Sequence, residues 1–363
     1  MMQAARTLVR LGIDTSQPID IFGVIQEESI WLMFQPLKNL YGFYMKQKGT
    51  PGIGIHSKHP LKLQRYTAAH EYGHHILGHA ESFDGDAYIE RGYSSADLKE
   101  LAADTFAAYF LMPEQLVNTL LNRMGLLRVG RPLTDIEIYQ LSLNLGTSYK
   151  ATVNHLMALK ILTPEDAEIL RPIKPQQIKA QLQTQPLENS WAESWALVKA
   201  DNGKKLSLRV YDDLRIDLPE NPTTGYVWTF DEAVVDGADS FKSAETKLLG
   251  QESDMQPSLF GVSELQDKPF PLMLIDSSFG VSENQETYGG GGNRYFTVRT
   301  LIPGLYTLRL LERRPWEDEA EAVDEWRISL DVNPKPTGES SQGFVASQQK
   351  AVASTMLQGS EPA

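Results

Sequence analysis

The chain contains no cysteine, which excludes disulfides and thiolate metal ligands alike. Any metal must therefore be held by histidine and carboxylate. No run of eighteen apolar residues occurs, so a membrane span is not expected. Basic residues are the minority, 34 against 47 acidic, and the net charge of -13 argues against general affinity for nucleic acid or anionic membrane. Met1 to Gly12 carries Arg6 and Arg10 in a weakly apolar stretch without a signal-peptide core or small-residue cleavage site. Cytoplasm is the expected location. No tandem repeat implies a solenoid. What is present, 363 residues with 41% hydrophobic, suits two soluble domains, each with its own core.

Four of the seven histidines fall together, at His70, His74, His75 and His79. His70-Glu71-Tyr72-Gly73-His74 reads H-E-x-x-H, the zinc-hydrolase spacing. Leu63 to Leu77 is helix-compatible and Gly78 is a stop signal. Four residues are about 400° of helical rotation, so His70 and His74 share a side and can close on one ion. Glu71 lies about 100° away, placed to hold a water rather than the ion. Catalytic zinc takes three protein ligands and leaves a fourth position to water. Downstream, Glu100 and Asp104 sit four residues apart on one helix face. Glu100 is the expected third ligand, and Asp104 the acceptor for a ring N–H of a zinc histidine. Glu71 has the general-base role: it takes a proton from the zinc-bound water and returns it to the leaving amine. For His79 a structural hydrogen bond at the helix end is expected rather than ligation. His56, His59 and His155 are isolated and carry no assigned chemistry.

The first half otherwise alternates short elements. Pro18 to Leu32 predicts an amphipathic helix, with a strand following at Trp31–Phe34. Leu40 to Ile55, rich in glycine, predicts strands and turns; Pro60 suits the first turn of the zinc helix. Asp84 to Ser94 reads as a loop, and Ser95 as the cap of a helix that runs from Ala96 to Leu111 and ends at Pro113. Two short helices are expected around Gly146 and one more after Pro164. Residues 171–190, with Pro172, Pro175, Pro186 and five glutamines, read as a linker, with room for a short helix. Beyond Trp195 the period turns to two, in Leu206–Val210, Tyr306–Leu310 and Trp326–Leu330. Strands of this kind between Gly, Pro and Asn turns predict a β-sandwich over 191–333. Residues 334–363 are expected to be a disordered tail.

On two segments the first half resembles the ImmA/IrrE family of zinc metallopeptidases. One is Tyr66-Thr67-Ala68-Ala69-His70-Glu71-Tyr72-Gly73-His74-His75-Ile76-Leu77-Gly78-His79. The other is Glu100-Leu101-Ala102-Ala103-Asp104-Thr105-Phe106-Ala107-Ala108-Tyr109-Phe110-Leu111-Met112-Pro113. Asp104 stands where the family has asparagine, and His155 where arginine is usual. The resemblance covers about residues 15–170 and implies a mainly helical, zincin-like domain with a small sheet. It also implies Zn2+ as cofactor and cleavage of a repressor-like regulator, in mobile-element or stress control. Many members carry an N-terminal helix-turn-helix; this chain reaches the peptidase segment too soon for one, so direct DNA binding is not expected.

The second half resembles chagasin-type inhibitors of papain-like cysteine proteases, which are immunoglobulin-like sandwiches. Three pieces match in order: Asn221-Pro222-Thr223-Thr224-Gly225-Tyr226 with Trp228, then Gly289-Gly290-Gly291-Gly292, then Arg314-Pro315-Trp316. The resemblance implies three loops at one end of the sandwich that wedge into a protease cleft. Tyr226, Trp228 and Trp316 read equally as core aromatics and the glycines as turn formers. Glu317, Asp318, Glu319 and Glu321 add acidity beside the third piece.

The reading is a multidomain α+β chain: a zinc endopeptidase acting on a protein, joined to a protein-binding sandwich. The sandwich would recruit substrate, cover the cleft, or inhibit a papain-like cysteine protease. A non-catalytic regulator in which zinc only stabilises the fold, and a chain whose activity lies wholly in the inhibitor domain, are the alternatives. An intact Glu71 favours catalysis, since a purely structural zinc site needs no base.

Overall fold

The computed structural model describes residues 1–47, 49–79, 82–85, 98–127, 131–182, 191–230, 271–281, 291–314, 316 and 322–334. The expected loop at 84–94 beyond its first two residues, the Ser95 cap, Gly289, Gly290, Pro315, the acidic run after Trp316 and the tail from 335 lie outside them. The chain divides into two compact units, 1–175 and 176–335. No helix among the described residues is long and apolar enough to cross a membrane.

The first unit opens with α1 (Met2–Arg10) and α2 (Ile21–Glu27). Helix α2 is shorter than its apolar pattern predicts, for two local reasons. The Asp20 carboxylate caps its start by accepting from Gly23 N at 3.1 Å. Ser29 takes a left-handed φ of 58°, which stops the helix and turns the chain into a strand. Strands β1 (Trp31–Gln35), β2 (Leu40–Gln47), β3 (Thr50–His56) and β4 (Ser82–Gly85) form one sheet in the order β1-β3-β2-β4. Only the β1–β3 pair is parallel.

Helix α3 (Leu61–Ile76) lies against β2 and β3 on one side and against α4 (Leu98–Leu111) on another. It is buried almost continuously from Thr67 to His74, which explains its weak amphipathic pattern. The fold continues through α5 (Glu114–Arg123), α6 (Asp135–Leu145), α7 (Tyr149–Ala158) and α8 (Pro164–Leu170). Thr134 and Thr163 open α6 and α8 with reciprocal capping boxes, and left-handed Gly146 separates α6 from α7. Helix α5 lies outside the elements expected from sequence, although Leu116, Val117, Leu120 and Leu121 bury at helical spacing.

The boundary between the units falls at the first residue of α9 (Pro175–Leu182), inside the segment expected to link domains. Its Ile178 and Leu182 are buried, and Lys179 Nζ donates to the Ala192 carbonyl at 2.6 Å. Two four-stranded sheets follow. One has the order β5 (Ser194–Val198), β7 (Asp213–Glu220), β10 (Gly292–Thr300), β9 (Leu272–Val281). The other runs β6 (Lys205–Arg209), β12 (Asp324–Asn333), β11 (Gly304–Arg313), β8 (Val227–Phe230). The three alternating segments singled out in the sequence are therefore neighbours in this second sheet. Alternation puts Leu214, Ile216, Phe296 and Val298 of the first sheet, and Leu308, Leu310, Trp326 and Ile328 of the second, in the core. The rings of Phe230 and Phe296 meet between the sheets, 4.9 Å apart.

Buried charges in this unit are paired. Arg299 donates to both carboxylate oxygens of Asp213 at 2.8 and 3.0 Å. Fully enclosed Glu220 accepts from Arg294 at 2.7 Å and from Trp228 N at 2.8 Å. Asp212 differs: it accepts from Glu193 N at 2.8 Å and Arg209 N at 3.0 Å, yet burial pushes its carboxyl up to about 6. The folded state then holds a proton that the unfolded chain, with an Asp near 3.9, has already released. The stability contributed by that proton is present below about pH 4 and lost as pH rises through about 6. Denaturant titration of wild type between pH 4 and 6 should show the second unit weakening with pH by on the order of 2–3 kcal/mol relative to Asp212→Asn. A wild type that strengthens relative to Asp212→Asn over that range contradicts the assignment.

Candidate metal centre

The centre is built where α3 and α4 come close. Gly73 makes the approach possible: a Cβ there would lie 3.2 Å from the Ala103 carbonyl oxygen and 3.1 Å from the Phe106 ring. Around that contact Tyr72, Phe106 and Phe110 form an aromatic cluster, with centroids 5.4–5.8 Å apart. The Tyr72 hydroxyl donates to Glu28 Oε2 at 3.1 Å, and Arg10 grips both oxygens of Glu28 at 2.7 and 2.9 Å. Burial raises the Tyr72 phenol well above its ordinary range, so it acts as a neutral donor. The back of α3 is thereby tied to α1 and α2.

With the helices so placed, one turn of α3 and the start of α4 bring three donors together. His70 Nε2 and His74 Nε2 are 3.0 Å apart; Glu100 Oε2 lies 3.1 Å from the first and 3.3 Å from the second. His70, His74 and Glu100 form the one group of three or more potential metal ligands found among the described residues. Both histidines are buried, and Glu100 is partly so. The His70 and His74 imidazoles beside it hold the Glu100 carboxyl far below its ordinary value.

The outer nitrogens are held as well. His70 Nδ1 donates to Asp104 Oδ1 at 2.8 Å, and the Tyr66 hydroxyl donates to the same oxygen at 3.3 Å. Asp104 was the acceptor expected from sequence; Tyr66 was not assigned, although it stands four residues before His70 on the same helix face. His74 Nδ1 lies 3.0 Å from His79 Nδ1. Glu71 is fully buried on the β2 side of the helix, where a Cβ on Gly42 would lie 3.2 Å from its Oε1. Neighbouring His75 faces elsewhere, with Nδ1 3.0 Å from the Tyr44 hydroxyl. His155 is a buried strut: Nε2 donates to the Met112 carbonyl at 2.7 Å, and burial lowers its pKa. His56 and His59 stack on each other at 4.1 Å.

In the second unit the described parts of the three expected loop pieces also meet. Asn221 Oδ1 accepts from Thr223 N at 3.3 Å and Thr223 Oγ1 at 2.7 Å, closing a single helical turn over Pro222–Thr224. Gly225 leaves that turn at φ 82°, and a Cβ there would lie 3.0 Å from the Trp316 ring. Arg314 lies over Tyr226 at 4.7 Å. A Cβ on Gly291 would be 3.8 Å from Asn221 Cβ, so the glycine piece borders the first. Trp228 is a core residue, its Nε1 donating to the Pro219 carbonyl at 2.9 Å, whereas Trp316 is 65% exposed.

Residues 25–150 match the family model of the IrrE N-terminal-like domain, of peptidase family M78. The first unit therefore carries an IrrE-like peptidase-family domain, as the H-E-x-x-H and Glu100 segments led one to expect. The chain is also similar to chagasin of Trypanosoma cruzi, 26% identical over 140 residues, which is 39% of this chain and 99% of the relative. Among solved structures, the cysteine protease inhibitor EhICP2 of Entamoeba histolytica is 17% identical at a TM-score of 0.28, covering 40% of this chain and 100% of that one. PbICP-C in complex with falcipain-2 is 16% identical at a TM-score of 0.22, covering 41% and 96%. A family match over residues 25–150 and a separate chagasin-like match over 39% of the chain are consistent with a fusion of two domains.

The close α3–α4 contact is directly testable. Gly73→Val should lower stability by about 1–3 kcal/mol, because the Ala103 backbone cannot yield without moving Glu100. Thermal melting of the metal-free variant at unchanged stability would show that the helices are not in tight contact there.

Proposed function

We propose that the chain is a zinc-dependent endopeptidase acting on a regulatory protein, with a protein-binding sandwich of immunoglobulin type as its second domain. The proposed boundaries are 15–170 for a zincin-like peptidase domain, 171–190 for the linker and 191–333 for the sandwich. The observation that carries the metal reading is the donor triangle with sides of 3.0, 3.1 and 3.3 Å. Donors about 2.0–2.1 Å from one ion at tetrahedral angles stand roughly 3.3 Å apart. As a hydrogen-bonded set the triangle is poor, since two neutral imidazoles offer at most one Nε2 proton each to three mutual contacts. His70, His74 and Glu100 would hold the ion, an all-nitrogen-and-oxygen set that suits a chain without cysteine.

Zinc there would supply Lewis acidity toward a peptide carbonyl and toward the attacking water. The chain does the rest. Asp104 accepts from His70 Nδ1 and so keeps Nε2 bare and aimed inward. Glu71, next to His70 and enclosed from solvent, takes the proton from the attacking water and delivers it to the leaving amine. Tyr66 steadies Asp104 from the preceding turn. The substrate proposed is a repressor-like regulator, as the resemblance to the ImmA/IrrE family implies, and the proposed location is the cytoplasm. No direct nucleic-acid or membrane binding is proposed.

Proteins captured by Glu71→Gln, then offered to wild type and variant in parallel, test this. The variant should retain zinc and lose about 10²–10⁴-fold in cleavage rate. Equal cleavage by Glu71→Gln contradicts the general-base role, and a zinc-loaded wild type that cleaves none of them favours a non-catalytic regulator.

A second activity is favoured by the loop cluster together with the chagasin similarity: inhibition of a papain-like cysteine protease. Exposed Trp316, braced by Gly225, offers rigid aromatic area of the kind that dominates interfaces. The full chain should inhibit papain, and Trp316→Ala should weaken inhibition at least tenfold, about 1.4 kcal/mol or more. Absence of inhibition by wild type would leave the sandwich as a substrate-recruiting or cleft-covering module.

A further inference from the structure

His79 stands just outside α3, and both its backbone and its ring return to His74. The helix ends in a Schellman motif: left-handed Gly78 (φ 68°) donates to the His75 carbonyl at 3.1 Å, and His79 N donates to the His74 carbonyl at 3.0 Å. In that motif the residue after the glycine lies against the residue three from the helix end, a contact that is commonly apolar. Here the pair is imidazole on imidazole, edge to face at 5.0 Å, with the two Nδ1 atoms 3.0 Å apart. An apolar residue would stop the helix equally well. A nitrogen aimed at a nitrogen needs another reason.

We infer that His79 is a positioning residue for the metal centre, its Nδ1 accepting the Nδ1 proton of His74 and so fixing the ring that presents Nε2 to the ion. The inference rests on the zinc reading above. A neutral imidazole that gives its Nε2 lone pair to a metal carries its proton on Nδ1. The Nδ1 of His79, 3.0 Å away, must then be bare, with the His79 proton on Nε2. The two metal histidines are thus held by different acceptors: His70 by the Asp104 carboxylate, His74 by a neutral ring. A carboxylate makes its histidine a stronger electron donor than a neutral acceptor does. The arrangement fixes both rings while placing one added negative charge, not two, behind the ligands. Gly78 belongs to the same device, since its left-handed turn carries His79 back over the last turn of the helix.

The test is zinc affinity of the full chain, read by competition with a chromogenic chelator, beside melting of the metal-free proteins. His79→Leu keeps the apolar form of the helix stop and removes the acceptor; it should bind zinc about 10–100-fold more weakly. His79→Asn, whose Oδ1 reaches the position of Nδ1, should restore affinity to within a few-fold of wild type. No zinc uptake by wild type overturns the metal reading and this inference with it. Uptake by wild type, with His79→Leu binding as tightly, overturns the role of His79 alone. Should His79→Leu fail to fold, histidine tautomers in the zinc-loaded wild type decide by nitrogen NMR. A protonated Nδ1 on His74 with a bare Nδ1 on His79 supports the inference, and a protonated Nδ1 on His79 overturns it.

Discussion

The contact between Gly73 and the backbone of Ala103 is what the rest of the first unit depends on. H-E-x-x-H supplies two imidazoles on one helix, but a third donor must come from elsewhere, and Glu100 reaches them only because α4 lies nearly against the α3 backbone. A Cβ at residue 73 would lie 3.1–3.3 Å from Phe106 and the Ala103 backbone, so a side chain there would press the helices apart by a few tenths of an ångström or more. Tyr72, on the neighbouring position, does the opposite work: its ring packs into Phe106 and Phe110, and its hydroxyl is anchored through Glu28 to Arg10. One small residue and one large one, side by side within the motif, set the spacing of two helices. Neither touches the ligand atoms.

Burial gives the centre its chemistry as well as its shape. His74 and Glu71 are buried, and Glu100 is partly covered. In such surroundings each ring nitrogen needs a partner, because an unpaired buried polar atom costs about 1–3 kcal/mol. Asp104 and His79 answer that need at the two Nδ1 atoms. Tyr66 extends the support by one turn. The resulting network is short-ranged: every member lies on α3, on α4, or one residue past the Gly78 turn.

Much of this was legible in the sequence, and the limits have physical causes. The spacing of His70, Glu71 and His74 and of Glu100 and Asp104 follows from helical periodicity, so each set could be placed on one face. That the faces meet could be expected from Ala102, Ala103, Phe106, Ala107 and Phe110, but which atoms pair could not, since that depends on the crossing of α3 and α4. Tyr66–Asp104 is a contact of this kind, spanning 38 residues, and Tyr72–Glu28, spanning 44, depends in the same way on how α3 meets the end of α2. Helix α2 is shorter than its pattern because Ser29 adopts a backbone conformation no periodicity reveals. Helix α5 is legible in the helical spacing of Leu116, Val117, Leu120 and Leu121, all of which are buried. In the second unit alternation marked strands, while the meeting of Gly225 with Trp316, 91 positions apart in the chain, is a product of sheet order.

X-ray absorption at the zinc edge of the metal-loaded full chain tests the central claim most directly. Two imidazoles and oxygen donors at about 2.0–2.2 Å are predicted, with the carboxylate contribution lost in Glu100→Ala. A third imidazole in the first coordination sphere, or a spectrum unchanged by Glu100→Ala, would contradict the account.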